Sequence, residues 1–557
     1  MIQPLDGTAT NGHAEHPGLL PQWHSQPRKL RIIHIGAGAT GLCAAWKMER
    51  QLTDYELVCY EKNADIGGTW LEKIQQYFVN FAKKYDLMKW VKLQHRVLSA
   101  VWQEDRGQWE VTVEHNGETF TDFCDILLNG SGLLNKWRWP KIEGLHDFEG
   151  PLLHSAAWDA SVDMKGKRVA VLGTGSSAIQ ITPQVQKVAS HLKCFMRSTT
   201  WISPPMQRMP VDLGVGKPKG EGFDHIDPET LRDYDNDDPN IAQYFYKPHE
   251  IEALRTNPEL LLKYRKTIEF EIGKGFEIFY KDSPASKMVK DYMVMSMKSR
   301  LENHPVLCKK LIPSWDVGCR RLTPGDGYLE ALIKPNVEHV FDEISQITPK
   351  GLRTADGNFH EVDVIVAATG FDMAWTPHFS LIGRGGVNIK DKWSPVPNCY
   401  LGIAAPGFPN YIIMNGPRGA LCNGTVLPSF ESQIEYGIKM AKKMQSDRIK
   451  AMDVKENITN MLNRHVDQWH KGGVWSSDCK SWYKNNTVNG KIMCWGGSSL
   501  HYVKTIKTPR WEHFDITYME DDPWAFLGSG RTKGEVDQDL EAMTPHIRLS
   551  DTPWEVV

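Results

Sequence analysis

The chain carries almost no net charge: 65 Lys and Arg against 68 Asp and Glu leave −3 over 557 residues. That balance removes the electrostatic reason to expect nucleic acid or an anionic membrane as partner. Long apolar runs are missing too, since no window approaches the roughly 18 consecutive apolar residues of a membrane span. The stretch Met1–Leu30 is polar and has no apolar segment of the kind a signal peptide needs. Residues 1–29 therefore read as a disordered tail, and the chain as cytoplasmic. The ten cysteines are scattered, with no C-x-x-C pair and no Cys/His cluster at zinc spacing. This argues against a disulfide scaffold, a structural metal site or a dithiol reductase. What remains, 41% hydrophobic and 24% charged, is ordinary for a large enzyme of several domains.

Against this plain background two glycine loops stand out. The β-branched run Arg31–Ile35 leads into Gly36-Ala37-Gly38-Ala39-Thr40-Gly41 and then a helical stretch, Leu42–Arg50. Strand, glycine loop and helix in that order mark a dinucleotide site. The first glycine makes the turn and the second lets a pyrophosphate reach the backbone. The third lets helix and strand pack, and the helix N-terminus attracts the phosphate. A second strand, Leu57–Tyr60, ends at Glu61, twenty residues beyond Gly41. A carboxylate there accepts hydrogen bonds from ribose hydroxyls and repels a 2′-phosphate. The bland alternative is a chance glycine loop.

The module recurs with the opposite charge. Arg168–Leu172 is followed by Gly173-Thr174-Gly175-Ser176-Ser177-Ala178, and the helix continues through Ile179 and Gln180 to Val188. The next strand, Leu192–Met196, ends at Arg197 and Ser198, nineteen residues past Ala178. A guanidinium at that place pairs a 2′-phosphate, so the module is assigned to NADPH rather than NADH. The alternative for Arg197 is a salt-bridged surface residue. Each unit also shows a hairpin and then an Asp, a buried strand and a small-residue turn. These are Trp109–Val113 turning at Asn116-Gly117 before Asp125–Gly132, and Ile344–Thr354 with Asp356-Gly357 before Asp363–Gly370. An acidic site followed by an Arg-bearing one suggests resident FAD and visiting NADPH, hence hydride transfer to a flavin.

Residues 206–318 break the α/β rhythm and read as a helical insertion. Leu261, Tyr264, Ile268, Ile272, Phe276 and Phe279 fall on one helix face, as core or as substrate pocket. The expected order is a first domain over 30–147, the second over 148–205 and 319–372, and completion of the first, with a C-terminal extension, over 373–557. The fold class is α/β, two Rossmann-like dinucleotide-binding domains with a helical insertion.

These residues resemble the Baeyer–Villiger monooxygenases, FAD- and NADPH-dependent enzymes that insert oxygen beside a ketone. The mark is Phe148–Asp159, whose Phe148, Gly150, His154, Trp158 and Asp159 match F-x-G-x-x-x-H-x-x-x-W-[P/D] between the two glycine motifs. By itself the segment would pass as a connector with His154 at a hinge. With the resemblance, His154 is assigned to coupling of domain positions rather than proton transfer. Gly67-Gly68-Thr69-Trp70, with Leu71 and Glu72 after it, resembles the G-G-T-W segment that contacts the flavin. Cys319-Arg320-Arg321-Leu322 is similar to the [K/R]-R segment. That implies the active-site arginine at Arg321 and a holder of the 2′-phosphate at Arg320. Ala368-Thr369-Gly370 resembles the A-T-G linker, and Trp495-Gly496-Gly497-Ser498 is similar to the turn whose Trp reaches the nicotinamide side.

The implied reaction takes dioxygen and a small-molecule ketone, converts it to ester or lactone through an anionic flavin peroxide, and calls on Arg321 for a fixed cation. The 20 Trp and 20 Met and the resemblance to fungal enzymes suggest a bulky natural-product substrate. One departure counts against the assignment. After Trp70 the family runs through several dozen residues, including an Asp that partners the arginine. Here the chain passes at once through Leu71–Ile74 to a helix beginning near Gln76. Two further readings therefore stand: an inactive or poorly flavinated homologue, and an N- or S-oxygenating flavin monooxygenase.

Overall fold

A computed structural model describes residues 19–68, 75–133, 136–204, 246–371, 375–420 and 424–556. It contains two five-stranded parallel sheets, each built around a strand that opens into one of the glycine loops. In the first, Leu30–Ile35 lies between Tyr55–Tyr60 and Ile126–Asn129, with Val91–Lys92 and Tyr411–Ile413 at the edges. In the second, Arg168–Leu172 lies between His191–Phe195 and Val364–Ala367, with Val337–Val340 and Leu152–His154 at the edges. The strand order reverses at the first strand of each unit, and the crevice at its carboxyl end is where α/β sheets bind ligands. Strands covered on both faces read as continuous apolar runs, and Ile32, Ile33, Val169 and Ala170 are fully buried.

The repeat extends to details. Asp125 accepts from the backbone N–H of Arg31 at 2.8 Å, and Asp363 from that of Arg168 at 2.8 Å. Each carboxylate thereby fixes the entry of the strand that carries the glycine loop. Helices Ala39–Gln51 and Ser176–Val188 follow the two loops. The hairpin Gln108–His115 with Glu118–Cys124 turns at Asn116 and Gly117, both at positive φ, as a two-residue turn of this hand requires. Its counterpart is the three-stranded Ile344–Thr348, Gly351–Thr354 and Phe359–Glu361.

Three expectations change. Residues 19–29, expected as part of a disordered tail, are held: His24 N–H donates to Arg531 O, Ser25 N–H to Phe526 O, and Arg28 pairs with Asp125. The insertion is helical where described, with Pro248–Thr256, Pro258–Lys274, Pro284–Arg300 and Pro305–Leu311. Its apolar stripe, however, is not core, because no residue of Pro258–Lys274 is buried and Ile272 is 43% exposed. The contact comes later, where Phe279 stacks on Trp475 at 5.0 Å and Lys281 N–H donates to Gly472 O. The third change is a disulfide, Cys319–Cys479, between residues 160 apart in sequence. No helix among the described residues is long and apolar enough to cross a membrane.

Candidate active site

The first glycine loop is shaped by contacts that exclude side chains. Gly36 sits at φ +95°, and a Cβ there would meet Gly130 O at 2.8 Å. A Cβ on Gly41 would lie 2.2 Å from Gly36 O. In the second unit Gly173, at φ +121°, stands in the same relation to Ala368 O, at 2.6 Å. The middle glycines differ from these. Among the described residues Gly175 faces open space, and Gly38 meets only the backbone of Gly68, whose Cα lies at 3.7 Å. Gly67 N–H donates to Ala37 O, so Gly67 and Gly68 form a second wall beside the first loop. The helix N-termini begin at Gly38 and Gly175, aiming free N–H groups into these spaces.

Glu61 and Arg197 follow the second strand of each unit, where the spacing puts them. Glu61 is 4% exposed; Oε2 accepts from Ala37 N–H and Oε1 from Asn63 N–H, both at 2.9 Å. Each oxygen keeps a lone pair for a ribose hydroxyl. Arg197 stands in solvent with one exposed partner, Glu343, at 3.3 Å. Thr174 Oγ1 donates to Ser198 O at 2.6 Å, tying the glycine loop to the strand end. Arg320 Nη1 donates to Thr199 O at 3.0 Å, which brings a second guanidinium to the same turn. Burial pulls Arg320 below the ordinary arginine value.

Arg321 follows on a segment held on both sides. Cys319 is bonded to Cys479, and Thr323 Oγ1 shares a hydrogen bond with Ser176 Oγ at 2.8 Å. Thr323–Pro324 also pairs in parallel with Ile202–Ser203. Among the described residues Arg321 is exposed and makes no hydrogen bond or ion pair. Burial pushes the Tyr483 phenol up to about 12, and the nearby charge of Arg321 opposes the rise. The cation thus lies between the second unit and the C-terminal segment, free to address a ligand.

Comparison with known proteins fixes the family. Residues 71–209 match the flavin-binding monooxygenase-like family, and residues 35–81 the NAD(P)-binding Rossmann-like domain. The FAD-binding monooxygenase stcW of Emericella nidulans is 35% identical over 572 aligned residues, covering 95% of this chain and 90% of that one. A Baeyer-Villiger monooxygenase of Pseudomonas aeruginosa is 26% identical, covering 85% of this chain and 89% of its own. The structure of cyclohexanone monooxygenase from Rhodococcus sp. Phi1 bound to NADP+ matches with TM-score 0.68 and 25% identity, over 88% of this chain and 100% of that one. This chain belongs to the FAD-binding monooxygenases of the Baeyer–Villiger type.

The cradles of this monooxygenase fit two dinucleotides. Among the described residues each loop leaves the space before its middle glycine clear of side chains, and each strand end carries the charge suited to one ribose. Of the residues singled out by sequence, Gly36, Gly38, Gly41, Glu61 and Gly68 converge on the first crevice. Gly173, Thr174, Gly175, Ser176, Arg197, Ser198 and Arg320 converge on the second, with Ser177 half-buried and Gln180 exposed along the helix. Ala178 and Ile179 point away into the core, at 0% and 1% exposure, and Ile179 packs against Gly325. Trp495 is also buried, its indole N–H donating to His501 Nδ1 at 3.0 Å. Thr69, Trp70, Leu71 and Glu72 lie outside the described residues.

The connector residues divide. His154 is 1% exposed, stacked on Trp137 at 4.3 Å, with Nδ1 accepting from Ala156 N–H. Trp137 pairs with Phe371, so His154 is stacked on a bridge between the connections leaving the two units. Phe148 is packed beneath the second sheet, and a Cβ on Gly150 would lie 2.4 Å from Asp363 O. Trp158, by contrast, is 43% exposed. Sequence reasoning passed over Thr199, Thr323, Tyr483 and the Cys319–Cys479 bond. Each acts across a long stretch of chain, and no local motif marks it.

Proposed function

We propose that this monooxygenase holds FAD in the first crevice and NADPH in the second, and inserts one atom of dioxygen beside a ketone carbonyl of a bulky substrate. The unit of residues 30–147, completed by 373–557, takes the flavin dinucleotide; 148–205 and 319–372 take the nicotinamide dinucleotide, and 206–318 is the insertion. Gly36, Gly38 and Gly41 give backbone room to the flavin pyrophosphate, Gly67 and Gly68 flank it, and Glu61 accepts from the ribose. Arg197, Ser198 and Arg320 grip the 2′-phosphate of NADPH. Bound flavin, reduced by the nicotinamide, supplies the activation of dioxygen.

The observation that carries the reading is Arg321: a guanidinium without a protein partner among the described residues, on a segment tied down at both ends. Its five N–H groups suit the carbonyl oxygen of the substrate as negative charge develops there. A fixed donor of this kind is worth about 2.7–4 kcal/mol of barrier. Tyr483, near enough to feel the charge of Arg321, is buried and packs against Trp482, which in turn meets Trp375. His154, stacked on the Trp137–Phe371 bridge, couples the positions of the two units.

The reading is tested by supplying NADPH, dioxygen and a panel of cyclic and linear ketones beside amines and sulfides. Ester or lactone carrying one atom from labelled dioxygen is expected. N-oxide or sulfoxide without ester would move the enzyme to heteroatom oxygenation. A second reading, a homologue that holds flavin weakly, is favoured by one observation: only Leu71–Ile74 separate Trp70 from the helix Gln75–Lys84. The alignment with the Emericella relative is longer than this chain, in keeping with residues absent here. Visible absorbance after incubation with FAD separates the two, because a preparation that stays colourless supports the second.

A further inference from the structure

Among the described residues, two exposed surfaces of opposite charge are left without a partner. The first is one face of the helix Pro258–Lys274, where Leu262, Lys263, Lys266 and Phe270 fall together at helical spacing. Leu262 is 51% exposed and Phe270 65%, and both lysines are exposed beside them. Neither Lys263 nor Lys266 forms an ion pair among the described residues, whereas Lys274 pairs with Glu271 and Glu269 accepts from Thr425. The acid on this face, Glu259, lies in the first turn, where it suits the helix dipole. The second surface is the C-terminal arm. Residues 532–557 carry six Asp and Glu against two Lys and Arg, an unevenness that the balance of the whole chain conceals. The arm is anchored at its base, where Arg531 O accepts from His24 N–H and the Lys533 ammonium lies over Trp23. Beyond it the short helices Lys533–Asp537 and Leu540–Met543 meet each other at Gly534 and Ala542. Leu540, Met543 and Ile547 are left outside, at 73%, 50% and 74% exposure. Glu541 and Glu555 are exposed with them and form no ion pair among the described residues.

We propose that two copies of this chain associate by exchanging these arms, the acidic arm of each lying on the basic face of the helix Pro258–Lys274 of the other. Each surface has what the other lacks. Leu540, Met543 and Ile547 bring apolar side chains to Leu262 and Phe270, and Glu541 and Glu555 bring carboxylates to Lys263 and Lys266. Exposed apolar groups rimmed by charge are the mark of a protein-binding surface. An anionic lipid surface would suit the helix face but leave the acidic arm exposed, whereas a second copy covers both. Exchange in the two directions closes a twofold dimer, so association stops there rather than running on into a filament. A stable interface takes about 20–30 residues a side. Each chain offers the 17-residue helix together with the arm of residues 533–557. The complementary charges set which face meets which arm.

The experiment follows the mass of the full-length protein by sedimentation and light scattering from low to high micromolar concentration. Wild type should form a dimer. Phe270→Asp and Leu540→Asp should each raise its dissociation constant by about tenfold or more, since every change enters the interface twice. Two charge-reversed proteins, one with Lys263→Glu and Lys266→Glu, the other with Glu541→Lys and Glu555→Lys, should each dimerise poorly alone. Mixing them should restore the dimer, because every helix face then meets an arm of opposite charge. Restoration by mixing separates exchange between copies from an arm folded back on its own helix. Should Phe270→Asp or Leu540→Asp fail to fold, the charge-reversed pair decides, because restoration requires both proteins to be intact. A chain that stays monomeric throughout, a dimer indifferent to these changes, or variants that mixing does not restore overturns the proposal. Wild type that stays monomeric but pellets with phosphatidylserine vesicles, and loses this with Lys263→Glu and Lys266→Glu, also overturns it and assigns the helix face to lipid.

Discussion

Arg197 and Glu61 occupy the same place in two copies of one strand–loop–helix device, and on the proposed assignment their charges decide which ribose each copy accepts. Arg197 is exposed and, among the described residues, tied only to Glu343 at 3.3 Å, a pair worth little by itself. Replacing Arg197 with Ala should cost little stability but reduce the preference for NADP+ over NAD+ by about tenfold, the low end for a charge-assisted contact in solvent. Titration of both coenzymes checks this, and an unchanged ratio would return Arg197 to a surface role. Arg321→Ala should leave NADPH-driven flavin reduction near wild type while lowering ester formation by about 10²–10³. Retained ester formation would remove Arg321 from the chemistry. Both residues were legible because short motifs place them. The inward faces of Ala178 and Ile179, and the burial of Trp495, were not, because a motif fixes chain position without fixing which way a side chain turns.

Two buried histidines give the chain an acid sensitivity. Burial holds His34 and His470 at about 4, below the ordinary 6.5. Their folded-state values lie below the unfolded one, so their contribution is complete above pH 6.5 and is lost as pH falls through about 4. Between pH 6.5 and 5 each should cost about 2 kcal/mol. Asp453, pushed up to about 6 by burial, works in the opposite sense, gaining stability as it protonates. With two groups against one, the urea midpoint should fall from pH 7 to pH 5. A midpoint that holds or rises would show that the histidines do not govern the acid limb.

At the level of elements, the contrast between Gly41 and Ala178 is informative. Both are the third position of a glycine loop, yet a Cβ on Gly41 would lie 2.2 Å from Gly36 O, whereas the second unit accommodates a real one. Backbone cannot yield as a side chain can, so Gly41→Ala should destabilise by about 1–3 kcal/mol and weaken flavin retention. The readouts are the denaturation midpoint and the flavin-to-protein ratio after gel filtration. A variant with unchanged retention would mean that the loop tolerates the added carbon. The strand–loop–helix units and the Asn116-Gly117 hairpin were readable because local residues dictate their backbone. The insertion is helical as read, but its apolar stripe was misjudged, for the converse reason. Its helical period is real, but what covers an apolar face depends on remote partners, and Pro258–Lys274 buries none of its residues.

For the molecule as a whole, the order of segments along the chain leads to the reading of two nucleotide units, the second inserted into the first. The return of Tyr411–Ile413 to the first sheet closes that arrangement. What escaped the sequence are the ties between units: Cys319–Cys479, the Trp137–Phe371 bridge beneath His154, and the Phe279–Trp475 stack. These join residues more than a hundred positions apart, where periodicity carries no information. The two units matter because, on the proposed assignment, one receives electrons that the other delivers. Anaerobic mixing of the FAD-incubated protein with NADPH or NADH, followed by visible flavin absorbance, tests that directly. The account predicts one tightly held flavin per chain, bleached much faster by NADPH than by NADH at equal low concentration. Protein that takes up no flavin, or a flavin bleached equally by both coenzymes, would contradict it.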